Sequence, residues 1–226
     1  SVDKNSRLLY NMRMDNNKLC IIFGAGDVFA PAVKFDKNAL VIAADGGYEK
    51  TVRLGLEPDM IIGDFDSGTL PSKTEAFVVK LSRDKNDTDM LAAVKAGLRR
   101  ERRTFVLYGG VGGRLDHTAA NFAVLKYLNG FDAQGYLIDE RTVATVITDD
   151  KFTLPKNARG TVSVLAYGGD AEGVCIKGLK YELKDAILTP DFPIGVSNET
   201  SDAKTNVPRA EISVKHGSLL IFFPRG

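Results

Sequence analysis

Short apolar runs, each followed by a polar segment rich in glycine or acid, fill the first 140 residues. Leu19–Phe23, Leu40–Ala44, Asp59–Ile62, Ala76–Leu81, Thr104–Tyr108 and Gly135–Ile138 read as short, largely apolar strands. Between them lie helical signals. Tyr48–Leu54 is closed by Gly55 and Pro58. Thr88–Arg100 carries apolar residues at 91, 94 and 98, with Asp87 or Thr88 as cap. Asp116–Leu128 is followed by Asn129-Gly130. Strands alternating with helices predict βαβ units, and so an α/β domain over residues 17–141 with a Rossmann-like parallel sheet.

The pattern changes after Glu140. Val143–Ile147, Lys151–Leu154, Thr161–Ala166, Gly173–Ile176, Tyr181–Leu183, Glu211–Lys215 and Leu219–Phe223 are short, strand-like and separated by turn residues. Residues 142–226 are therefore expected to form an all-β sandwich. The run Leu219–Phe223 is too apolar to leave as an exposed edge, which predicts a homodimer through this half; the competing reading makes it the domain's own core.

Charge narrows the classes of partner. Thirty basic and 29 acidic residues leave a net charge of +1, with no basic arm or stripe suited to nucleic acid. Arg99, Arg100, Arg102 and Arg103 read as a solvated helix end. No apolar run spans a bilayer, and residues 1–16 are polar, without a signal-peptide pattern; a loose arm and a cytoplasmic setting are expected. Cys20 and Cys175 sit in apolar segments and read as reduced core residues.

The chemistry concentrates where predicted strands end. Asp45 follows Leu40–Ala44, and Gly63-Asp64-Phe65-Asp66-Ser67 follows Asp59–Ile62. Ligands of a parallel sheet sit beyond the carboxyl ends of its strands. Carboxylates converging there repel one another unless a cation lies among them, which points to magnesium and a polyphosphate. Asp84-Lys85-Asn86-Asp87-Thr88-Asp89 opens a helix, whose free amides attract phosphate. Gly109-Gly110-Val111-Gly112-Gly113-Arg114 joins a strand to a helix, letting backbone approach an oxyanion and adding a guanidinium fork. Two histidines, His117 and His216, are too few for zinc sites or histidine triads.

Ala44-Asp45-Gly46-Gly47, Pro58 to Ser67, Asp84-x-x-x-Thr88-Asp89, and Gly113-Arg114-x-Asp116-His117 with Asn121 together resemble the thiamin pyrophosphokinase family. Ser197-Asn198 resembles that family's Ser-Asn element, and the resemblance covers about residues 19–223. It implies a transferase moving diphosphate from ATP to thiamin, with Mg2+ and a homodimer. By the same resemblance, Asp64, Asp66 and Asp89 would hold the metal, with Asp45 beside it. Arg114 would bind phosphate, and Gly46, Gly47, Asp87, Thr88, Gly110 and Gly113 would surround the nucleotide. Asp116, His117, Ser197 and Asn198 would face thiamin, and either Asp45 or Asp116 would be the base. Animal and yeast members stack a tryptophan on thiamin; this chain has none, and Ile221 or Phe222 falls in that region. The bacterial type of the family is the closer match.

Three other readings compete. One keeps the transfer but changes the acceptor to a hydroxymethyl pterin or related alcohol. A second is a magnesium-dependent phosphohydrolase, because Asp-x-Asp pairs also supply nucleophiles. A third is a nucleotide-sensing module without catalysis. Only Ser197-Asn198 favours thiamin among acceptors.

Overall fold

The computed structural model describes residues 15–28, 35–65, 74–82, 86–156, 158–200 and 209–225. Two compact units divide the chain, Met14–Glu140 and one built on Arg141–Gly226. The expected N-terminal arm falls largely outside the described residues, as do Asp66, Ser67, Asp84 and Lys85.

In the first unit, β1 (Leu19–Phe23), β2 (Leu40–Ala44), β3 (Met60–Gly63), β4 (Phe77–Lys80), β5 (Thr104–Tyr108) and β6 (Gln134–Ile138) are all parallel. They run in the spatial order β6-β5-β1-β2-β3-β4. β1 is wholly buried, which is why its sequence carries no polar alternation. Three helices accompany the sheet: α1 (Gly47–Arg53), α2 (Asp89–Leu98) and α3 (Leu115–Asn129). α2 is rotated from the face suggested by positions 91, 94 and 98. It buries Met90, Ala93, Val94 and Gly97, while Leu91 and Leu98 are half-buried. The cause is closeness. A Cβ on Gly97 would stand 2.6 Å from the Phe105 ring and 3.0 Å from Cys20 Sγ, so small residues define the contact face.

The second unit holds eight strands among the described residues, all paired antiparallel. β7 (Thr142–Thr148), β14 (Ser218–Pro224), β9 (Thr161–Ala166) and β12 (Asn198–Glu199) are neighbours in that order. β8 (Lys151–Thr153), β13 (Glu211–Ser213), β10 (Ala171–Lys177) and β11 (Leu183–Leu188) form the other set. Phe152 of β8 meets Phe223 of β14 with ring centroids 5.3 Å apart. The apolar terminal run is thus a central strand, with β7 on one side and β9 on the other. Its hydrophobicity is that of a core and supplies no argument for a dimer. The strand expected over Tyr181–Leu183 instead begins at Leu183 and runs to Leu188. Both cysteines are free thiols: Cys20 is buried and Cys175 half-buried. Burial pushes the Cys20 thiol far up, so it stays protonated and inert.

Candidate active site

The strand order places a topological switch between β1 and β5. From β1 the chain moves one way through β2, β3 and β4, and it returns to β5 on the other flank. Connections leaving the two carboxyl ends diverge, and a crevice opens there. Glycine lines it on both sides. Gly24 N–H donates to Tyr108 O at 2.8 Å, and Gly26 N–H donates to Gly109 O at 3.0 Å. A Cβ on Gly26 would lie 2.7 Å from Gly109 O, so the loops meet backbone to backbone. Gly24–Gly26 carries no charged side chain and follows no acidic motif, and its role was missed in the sequence. The pairing of two glycine loops after adjacent strands was the available signal.

The crevice is a cavity of about 360 Å3, within the range of small-molecule sites. Asp45, Thr88, Asp89, Gly110, Gly113, Arg114 and His117 line it, together with Gly24, Gly26, Met90 and Asn121. Four separate expected segments therefore converge on one space: 44–45, 88–90, 109–114 and the start of α3. Asp45 sits in the left-handed region with φ 50°, tolerable for aspartate, and turns the chain from β2 into α1. Its N–H donates to Ile62 O at 2.8 Å, tying it to the end of β3. Gly47 has a different reason to be glycine: a Cβ there would stand 1.8 Å from Phe23 O. It lets α1 approach β1 and does not line the cavity.

Thr88 caps α2, its hydroxyl accepting from Leu91 N–H at 3.2 Å, which puts Asp89 on the first turn. Asp87 points elsewhere. Both its oxygens accept from Lys95 Nζ, at 2.7 and 2.8 Å. Asn121 is buried, and its Nδ2 donates to Gly110 O at 2.7 Å, fixing the glycine loop to α3. Arg114 precedes α3 and grips Asp116 with two bonds, Nε to Oδ1 at 3.1 Å and Nη2 to Oδ2 at 2.5 Å. That fork, helped by His117 N–H, pushes the Asp116 carboxyl down to about 2. Asp116 itself stands outside the cavity lining, as do Gly46 and the half-buried Asp64.

Among the described residues no three His, Cys, Asp or Glu side chains are grouped to hold a metal ion. Asp45 and Asp89 nevertheless bring two carboxylates to one cavity, and hard oxygen donors of this kind suit magnesium. Of the three expected ligands, Asp89 lines the cavity, Asp64 stands outside its lining and Asp66 lies outside the described residues.

In the second unit, Ser197 and Asn198 separate in role. Ser197 is exposed, left-handed with φ 62°, and its N–H donates to Ser163 Oγ at 3.1 Å. Ser163 pairs across the sheet with half-buried Phe222, which gathers an aromatic ring and two hydroxyl residues at one place. Ile221, by contrast, is fully buried core. Asn198 is buried and spent on structure: its Nδ2 donates to Tyr181 O at 2.6 Å, and its Oδ1 accepts from Tyr181 N–H at 3.0 Å.

Comparison with known proteins follows the same division of the chain. Residues 33–135 match the family model described as thiamin pyrophosphokinase, catalytic domain. Residues 151–219 match thiamin pyrophosphokinase, vitamin B1 binding domain. Thiamine pyrophosphokinase of Bacillus subtilis is 24% identical over 170 residues, covering 73% of this chain and 79% of that protein. Thiamin pyrophosphokinase 1 of Caenorhabditis elegans is 26% identical over 174 residues, covering 73% and 69%. The crystal structure of the Bacillus subtilis protein superposes with a TM-score of 0.77 at 21% identity, covering 91% of this chain and 98% of that one. The mixed α/β fold with its large sheet and few helices is thus a shared one.

Proposed function

Because the chain belongs to the thiamin pyrophosphokinase family, we propose that it transfers the β,γ-diphosphate of ATP to the hydroxyethyl oxygen of thiamin, giving thiamin diphosphate and AMP. The observation that carries this reading is the convergence of Asp45, Asp89 and Arg114 on one glycine-walled cavity at the switch point of the sheet. Met14–Glu140 serves as a Rossmann-like nucleotide unit and the C-terminal half as a β-sandwich that supplies the acceptor side. The enzyme acts as a homodimer in the cytoplasm.

The acceptor oxygen attacks the β-phosphorus, the bond from that phosphorus to the α,β-bridging oxygen breaks, and AMP leaves with the electron pair. Charge spreads over phosphate oxygens, so the protein's task is positioning and electrostatics. Amides of Gly110 and Gly113 meet phosphate, and Arg114 exchanges its grip on Asp116 for a phosphate oxygen. Gly46 and Gly47 set the turn that holds Asp45; Asp87 and Thr88 hold the first turn of α2 and so place Asp89. Magnesium, held by Asp64, Asp66 and Asp89, would neutralise phosphate charge when bound. Asp45 lines the cavity and Asp116 stands outside its lining, so Asp45 takes the hydroxyl proton while Asp116 and His117 orient the acceptor. Ser197 and Phe222 contact the thiamin rings, while Asn198 positions Ser197 through the Tyr181 turn.

The test is acceptor-dependent AMP release. ATP and magnesium with thiamin should give AMP; omitting thiamin, or replacing it with a hydroxymethyl pterin, should not. AMP formed equally with the pterin would assign the other acceptor, and phosphate formed without any acceptor would assign a hydrolase.

A further inference from the structure

At the opposite end of the same sheet, Lys18, Lys37, Arg100, Arg102 and Arg103 converge on a solvent-open cavity of about 670 Å3. Glu101 is the one carboxylate among its described lining residues. Three segments bring them together: the turn before β1, the turn before β2, and the link from α2 to β5. All lie at the amino ends of parallel strands. From Lys18 to Gly24 along β1, at ~3.3 Å per residue, the two cavities stand about 20 Å apart.

Arg99 and Arg100 are exposed at the end of α2, and the link that follows folds back onto β1. Arg100 and Arg102 N–H both donate to Gly97 O, at 3.0 and 3.1 Å, across a left-handed Glu101 with φ 59°. Arg103 N–H donates to Lys18 O at 2.9 Å, which ties the link to the start of β1. The guanidinium groups are held by backbone carbonyls: Arg100 by Ala96 O, Arg102 by Asn17 O and Arg103 by Arg102 O. Among the described residues, Lys18, Lys37, Arg100 and Arg103 have no carboxylate partner within 4.0 Å. Five cations and one carboxylate line the cavity, and Asp15 and Asp36 accept backbone bonds from Asn17 and Asn38 on the two adjoining turns.

We propose that this cavity is a second, non-catalytic site for a small phosphate-bearing anion, of the diphosphate or triphosphate class. Convergent like charges repel until an anion sits among them, and guanidinium forks match phosphate oxygens. The site is concave and bounded by three short turns, which suits a compact ligand over an extended polymer.

Inorganic pyrophosphate is titrated into the 15N-labelled full chain at constant ionic strength, with EDTA present so that binding does not depend on magnesium at the catalytic end. Saturable amide shifts are expected at Lys18, Asn38 and Glu101. Lys37→Glu, at an exposed turn, should weaken them by about tenfold or more, and Arg103→Ala should weaken them as well. The readout is binding without turnover, so its result is independent of the proposed activity. The proposal is overturned by shifts that do not saturate, or that sodium chloride of equal ionic strength reproduces. It is equally overturned by shifts confined to Gly24–Gly26 and Gly109–Arg114, or unaltered in Lys37→Glu. Far tighter binding of a single-stranded RNA oligomer or of anionic vesicles would make this a macromolecular surface instead.

Discussion

Replacing Gly109 with alanine tests whether the cavity depends on two glycine loops in backbone contact. Gly109 has φ +65°, and a Cβ there would stand 2.5 Å from Gly24 O, 3.0 Å from Gly24 C and 3.1 Å from Gly26 O. None of these atoms can escape by changing rotamer. Gly113 is the control: its φ is +68°, but nothing lies within 4 Å of its Cβ position. Both alanines meet the left-handed penalty of about 1–2 kcal/mol. Gly109→Ala adds an overpacking cost of about 1–3 kcal/mol and strains the bond from Gly26 N–H to Gly109 O. For a chain of this size the two variants should differ in Tm by roughly 2–12 °C, measured side by side by thermal denaturation. The loops must part, so kcat/KM for ATP should fall at least about tenfold in Gly109→Ala, or ~1.4 kcal/mol. Equal Tm and equal kcat/KM for the two variants would refute the close approach as the basis of the site.

Asn121→Ala leaves the buried Gly110 carbonyl without its donor and should lower stability by about 1–3 kcal/mol, read by urea unfolding; a loss under 0.5 kcal/mol would mean the bond is dispensable. The Asp116 carboxyl is held below its ordinary 3.8, at about 2. Its folded pKa is depressed, so the pair's contribution is present above the ordinary value and is lost as pH falls through about 2. In Arg114→Ala the carboxyl should titrate near 3.8, followed by its 13C shift, and an unmoved midpoint would show that Arg114 is not the cause. Ser197→Ala should raise KM for thiamin about tenfold with KM for ATP unchanged. Asn198→Ala should instead lower Tm, since its side chain bonds Tyr181 twice. Identical effects of the two substitutions would contradict the division of roles.

Much of the first unit was legible because its strands, apart from the exposed edge strand β4, are buried. Leu19–Phe23, Leu40–Ala44 and Thr104–Tyr108 announce themselves as continuous apolar runs, and each was read with its observed bounds. The acidic and glycine motifs were legible as strand ends, and with them most of the cavity lining. Backbone-to-backbone packing was less so: neither the contact of Gly24–Gly26 with Gly109 nor the clash that requires glycine at position 47 leaves a periodic trace. The rotation of α2 escaped because Leu91 and Leu98 dominate a hydropathy pattern, whereas Gly97 sets the close approach to Phe105 and Cys20. β11 was hidden by Lys184 and Asp185, since an edge strand with two charges in succession breaks alternation. Asn198 reads as a polar ligand in sequence, and only its bonds to Tyr181 reveal a structural clamp. The apolar end of the chain fitted an interface as well as a core until strand order decided between them.

Transfer of an intact diphosphate can be followed by 31P NMR of a single reaction mixture. With ATP, magnesium and thiamin, AMP and thiamin diphosphate should form in equal amounts, with both transferred phosphorus atoms arriving on thiamin together and no ADP accumulating. ADP with thiamin monophosphate, or free pyrophosphate with thiamin unchanged, would contradict it.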